Sequence, residues 1–123
     1  MRRLSPRVHG IMDYITVLFL VLSPHLFGMQ YVATIFTYSL AFIHFALTLI
    51  TDFEMGLWPI VPLSVHGVIE LLVSILLVAV AIAFRFGNDI ISFYFYLIFA
   101  AVLFIVWVFS SYNPASSAPQ KIS

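Results

Sequence analysis

Leu63-Ser64-Val65-His66-Gly67-Val68-Ile69-Glu70-Leu71-Leu72-Val73-Ser74 opens an apolar run that continues to Phe84, and its reading decides the fold. A helix needs about 20 predominantly apolar residues to cross the hydrocarbon core of a bilayer. This run has that length. Within it His66, Glu70 and Ser74 recur at i, i+4 and i+8, continued by the small Ala81, while the remaining positions are nearly all aliphatic. Positions four apart share a helix face, so the run predicts a membrane-spanning helix carrying one polar stripe.

The opening of the run has a counterpart nearer the N-terminus. His9-Gly10-Ile11-Met12-Asp13 also places a histidine one turn before an acid at the head of an apolar segment, and Phe27-Gly28 after the first segment returns as Phe86-Gly87 after the third. These matches predict two similar helical hairpins in tandem. A two-span unit repeated in tandem keeps its orientation, which gives a pseudo-two-fold axis along the membrane normal. His9 and His66 then sit at one level, with Asp13 and Glu70 one turn deeper.

Working outward, the four predicted spans are 6–26, 31–50, 63–84 and 90–109, separated by a short turn at Phe27–Gln30, an interfacial loop from Asp52 to Pro62 and a tight turn at Arg85–Asp89. Pro6 suits a helix start, and Ser23-Pro24 thins or kinks the far end of the first span. Trp58 suits the headgroup region. From Ser110 onward, Asn113-Pro114, two serines and Pro119 predict a flexible, solvated tail over 110–123. The expected architecture is an all-α, four-helix transmembrane bundle forming one domain over 1–123. Arg2, Arg3, Arg7 and Lys121 flank one side of this topology and Arg85 the other, so both termini are expected in the cytoplasm. Met1-Arg2-Arg3 before an apolar segment has the form of a signal peptide. The residues after Leu22 are too bulky for a cleavage site, and the segment is expected to stay as a helix.

Composition agrees with a bilayer as solvent. Of 123 residues, 63% are hydrophobic and 8% charged, against about 25% charged in ordinary soluble domains. The formal net charge is zero with no basic block, which leaves nucleic-acid binding without electrostatic support. The absence of cysteine excludes disulfides and thiolate chemistry.

Leu22-Ser23-Pro24-His25-Leu26-Phe27-Gly28, placed after a helix in a chain of paired spans, resembles the Ser-Pro-Trp signature of the SPW-repeat membrane proteins. His25 stands where that signature has tryptophan. The resemblance implies a small bacterial integral membrane protein, hence an inner-membrane location, and supplies no catalytic residues.

The ionisable residues inside the spans are the candidates for chemistry. Thr37, Ala41, His44, Thr48 and Thr51 follow three- and four-residue steps along the second span, and counting at about 1.5 Å per residue puts His44 roughly 11 Å and Asp13 roughly 9 Å inside the boundary. Polar faces turned inward would gather His9, Asp13, His44, His66 and Glu70 into one cytoplasmic-half site, with Asp52 at its mouth. Three readings of that site stand open. The first is a metal ion held by His9, Asp13, His44, His66 and Glu70, or a haem held by His9 and His66. The second is a proton or small-solute pathway, since ionisable groups within spans usually face an interior or a cavity. The third is a structural hydrogen-bond network between helices. Hydrolytic catalysis lacks a strand-turn-helix to expose a serine, so a non-enzymatic protein is expected. The expected partners are the lipid bilayer and, through the aromatic fourth span, a second copy of the chain.

Overall fold

The computed structural model describes residues 4–112. Four helices make up most of them: α1 (Pro6–Leu26), α2 (Tyr31–Leu49), α3 (Leu63–Phe86) and α4 (Ile90–Phe109). At about 1.5 Å per residue they run from roughly 28 to 36 Å, enough to cross about 30 Å of hydrocarbon. All four are long and apolar enough to span a membrane. The chain is an integral membrane protein folded as a four-helix bundle, and helices α2 and α3 differ from the expected spans by no more than two residues at their C-terminal ends.

Local chemistry sets where the helices begin and turn. Pro6 occupies the first turn of α1, where a missing N–H costs nothing, and the Ser5 hydroxyl accepts from the Val8 N–H at 3.3 Å. The Asp89 carboxylate starts α4 by accepting from the Ser92 N–H at 3.1 Å and the Ser92 hydroxyl at 2.7 Å. Gly28 and Asn88 take φ of 60° and 61° in the two tight turns, a left-handed geometry that glycine and asparagine tolerate best. Backbone contacts are densest within the α1–α2 and α3–α4 hairpins.

The opposite end of the bundle is more ordered than expected. Strand β1 (Thr51–Asp52) runs parallel to β2 (Val61–Pro62). The intervening loop returns N–H groups of Leu57 and Trp58 to the Leu49 carbonyl at 2.8 and 3.0 Å, which satisfies a helix-end acceptor. The expectation of a solvated tail fails for its first three residues. Leu4 donates to the Phe109 carbonyl at 2.6 Å and Ser111 donates to the Leu4 carbonyl at 2.9 Å, while Ser110 is buried. These polar groups find partners in the other chain end, a pairing that no local pattern announces. The rest of the expected tail, 113–123, and the orienting residues Arg2, Arg3 and Lys121 lie outside the described residues.

The interior is inverted relative to a water-soluble bundle. Phe42, Ile43, Leu72, Ile75, Leu76 and Ile98 are among the apolar side chains facing outward, whereas Thr37, Thr48, His66, Glu70, Ser74 and Ser92 are buried. Lipid offers no hydrophobic drive for helices to associate, so close approach and hydrogen bonds must hold them. Ala33, Ala41, Ala81 and Ala100 provide the close approach, each at most 2% exposed. Tyr96, with Phe36 and Phe84 against its ring, fills the middle of the bundle and shares a short hydrogen bond with Thr37.

Candidate metal centre

His9 and His66 occupy the same position, the fourth residue, of α1 and α3. Each helix then brings its acid, Asp13 or Glu70, around one turn later on the same face. All four residues are at most 5% exposed. The two hairpins bring them together: His9 Nε2 lies 3.2 Å from Asp13 Oδ1 and 2.9 Å from Glu70 Oε2, and His66 Nε2 lies 3.2 Å from Asp13 Oδ2 and 3.7 Å from Glu70 Oε1. Nitrogen and oxygen ligands about 2.0–2.2 Å from a tetrahedral ion are separated by about 3.4 Å. The observed separations bracket that value, and one ligand atom from each residue lies within 4.8 Å of every other.

The far side of each imidazole is held by a hydroxyl. His9 Nδ1 contacts Ser110 Oγ at 2.7 Å, and His66 Nδ1 contacts Thr51 Oγ1 at 2.7 Å. Each hydroxyl also donates to the carbonyl one turn back, Ser110 to Val106 at 2.5 Å and Thr51 to Leu47 at 2.6 Å. A hydroxyl has one proton and a carbonyl can only accept, so both contacts are satisfied only when Nδ1–H donates to the hydroxyl. That assignment fixes the tautomer from the network. In a neutral imidazole it leaves the Nε2 lone pair aimed at the carboxylates, the arrangement in which histidine binds a metal.

The hairpins make matching contacts around this centre. Leu4 bridges Ser110 in parallel as Val61 bridges Thr51, and each partner lies five residues before its histidine. Two residues beyond each hydroxyl comes an aromatic ring: Tyr112 packs on His9 with ring centroids 5.4 Å apart, and Phe53 on His66 at 6.3 Å. A Cβ on Gly10 would lie 2.5 Å from Phe53, and one on Gly67 would lie 2.7 Å from Tyr112, so both rings need glycine on the opposing helix. The match breaks at two places. His44 approaches Asp13 Oδ1 at 3.5 Å from α2, and the Tyr112 hydroxyl donates to Glu70 Oε2 at 2.6 Å where Phe53 has none.

The two acids of this cluster must be neutralised. Two carboxylates removed from water inside a span cost several kcal/mol unless neutralised. Among the described residues neither arginine answers them, since Arg7 pairs with Glu54 at 3.2 Å and Arg85 lies in the last turn of α3 at the other end. Asp13 Oδ2, His66 Nε2 and His44 Nε2 are buried with no hydrogen-bond partner, although oxygen and nitrogen are 3.2 Å apart between Asp13 and His66. That separation is one that two ligands of a single ion would show. A cleft of about 40 Å³ beside His44 and Glu70, lined by Leu40, Ile43, Val73 and Leu103, has room for a water molecule.

Of the sequence-predicted candidates, His9, Asp13, His66 and Glu70 form the centre and His44 stands at its edge. Asp52 is exposed and is not one of the four clustered residues. Ser110 and Tyr112 enter the sequence reading only within the expected solvated tail, and Thr51 only as part of a polar stripe. Aligning Thr51-Asp52-Phe53 with Ser110-Ser111-Tyr112 at the ends of α2 and α4 is the signal that finds them. Burial, reinforced by the Glu70 carboxylate, pushes the Tyr112 phenol far above its ordinary range, so it remains a hydrogen-bond donor. No protein-family model, curated protein or solved structure matches the chain.

Proposed function

We propose that this is a metal-binding protein of a bacterial inner membrane, with both termini cytoplasmic, that holds one divalent cation through His9 Nε2, His66 Nε2 and one oxygen each of Asp13 and Glu70. The observation that carries the reading is the convergence of four buried ligand atoms, both imidazoles locked by hydroxyls so that Nε2 faces the acids. One divalent ion with two neutral imidazoles and two carboxylates is electrically neutral, which removes the main cost of placing acids in a membrane. Imidazole and carboxylate donors suit zinc, iron or manganese. Haem is the weaker form of the proposal. Glu70 Oε1 lies 3.0 Å from one Nε2 and 3.7 Å from the other, in the space a macrocycle between the two imidazoles must occupy. The matching contacts of the hairpins support their origin by duplication and, with the buried Ser23-Pro24 pair in α1, kinship to the SPW-repeat proteins.

One observation favours a second reading. His9 Nε2 and Glu70 Oε1 do meet as a hydrogen bond at 3.0 Å, so a protonated His9, with a second protonated histidine, would neutralise the acids and leave a structural or proton-handling network. Elemental analysis of untagged, detergent-purified protein separates the two. The metal reading expects near-stoichiometric zinc, iron or manganese in the wild type and none in His9→Ala/His66→Ala. Metal-free wild type that also fails to take up added zinc or iron would leave the protonated network.

A further inference from the structure

We propose that the cleft beside His44 admits a small neutral molecule, of the size and polarity of dioxygen, to a fifth position on the ion. This rests on the metal reading of the centre. His44 is the ionisable residue that a four-ligand ion leaves over. It is outside the clustered four, its Nε2 is buried with no hydrogen-bond partner, and its approach to Asp13 Oδ1 stops at 3.5 Å. The match between the hairpins does not require it either. Seven residues before the matched hydroxyls of Thr51 and Ser110 stand His44 on α2 and Leu103 on α4. A leucine at the first place would close the bundle at lower cost, because an ionisable side chain inside a span is expensive and ordinarily marks a site or a pathway. A buried polar atom without a partner calls for a molecule that supplies one.

The cleft is where such a molecule fits. Its volume of about 40 Å³ holds a single molecule near the size of water. His44 and Glu70 are its polar lining, and the rest is aliphatic, with Leu40, Ile43, Val73 and Leu103 contributed by three helices. Because Glu70 is also one of the four ligands, the cleft adjoins the ion. These residues lie within α2, α3 and α4, and Ile43 is 60% exposed, so the cleft opens on a surface that meets hydrocarbon. Ions enter hydrocarbon at great cost, whereas small neutral molecules dissolve in it. The occupant is therefore neutral, no larger than a diatomic, and able to share a hydrogen bond with an imidazole nitrogen. Four protein ligands leave such an addition open, since metal centres that act on a small molecule expand to five coordination.

Nitric oxide is the probe, because its adduct with iron(II) gives a half-integer-spin EPR signal that iron(II) alone lacks. The full-length, untagged wild type loaded with iron(II) in detergent without oxygen is expected to bind one nitric oxide per iron. Val73→Phe and Leu103→Phe fill the cleft from different helices, and each is expected to weaken nitric oxide binding several-fold with iron content unchanged. His44→Leu, which copies the residue at the matched place on α4, is expected to keep its iron and to weaken the adduct several-fold through the lost hydrogen bond. A wild type that holds iron and forms no adduct, as a cleft open only to water would give, overturns the proposal and leaves the centre intact. So does an adduct equally tight in wild type, in His44→Leu and in whichever cleft-filling variant retains its iron. A wild type that takes up neither iron(II) nor zinc overturns the centre itself, and this proposal with it.

Discussion

Replacing Thr51 with valine keeps the shape of the side chain and removes the hydroxyl that receives the His66 Nδ1–H. Thr51 is 1% exposed and lies 2.7 Å from Nδ1, so no water replaces it. Two costs follow, and their sizes differ. For stability, an unpartnered buried N–H costs about 1–3 kcal/mol in soluble proteins, but polar contacts in membranes average only about 0.6 kcal/mol because the unfolded helices find other partners. The fold should therefore survive. For metal binding, losing the group that orients a ligating histidine typically lowers affinity 10- to 100-fold, about 1.4–2.8 kcal/mol. The affinity loss should exceed the stability loss. Competition against a chromophoric chelator measures Kd, and titration with SDS measures unfolding. Ser110→Ala, at the matching contact on His9, should lower affinity to a similar degree, and the double variant by nearly the product. An affinity within two-fold of wild type in a folded Thr51→Val protein would refute the tautomer argument.

Gly10→Ala should destabilise the bundle by about 1–3 kcal/mol through overpacking, since its Cβ meets Phe53 at 2.5 Å and Met55 at 2.8 Å; SDS titration checks it. Tyr96→Phe removes the buried hydrogen bond to Thr37 and should cost about 0.6–1.7 kcal/mol without altering metal content, because it lies in the other half of the bundle. Arg7→Ala breaks an exposed pair with Glu54 and should change stability by less than about 1 kcal/mol. For orientation, a reporter that fluoresces only in the cytoplasm should do so when fused at either terminus and stay dark when inserted at Gly87; the reverse pattern would invert the topology.

The helices were legible because a bilayer demands long apolar runs, and Gly28, Asn88 and Asp89 mark the turns between them. His9, Asp13, His66 and Glu70 were legible because an imidazole and an acid four residues apart stand out on an aliphatic helix. His44 followed from counting depth along α2. The supporting groups were hidden for a physical reason. Ser110 meets His9 across 101 positions, a contact that depends on how one hairpin closes on the other, and Tyr112 meets Glu70 across 42, from beyond the far end of the second hairpin. Beside a strongly apolar helix, Ser110-Ser111-Tyr112 has the composition of solvent-facing punctuation. Two-residue strands such as β1 and β2 are likewise too short to leave a period in the sequence.

X-ray absorption at the metal edge, on untagged full-length protein loaded with zinc, tests the centre most directly. The account predicts four nitrogen and oxygen scatterers at about 2.0–2.1 Å, with the outer-shell pattern of two imidazoles that falls to one in His66→Ala. A methionine sulfur in the inner shell, or imidazole scattering unchanged in His66→Ala, would contradict it.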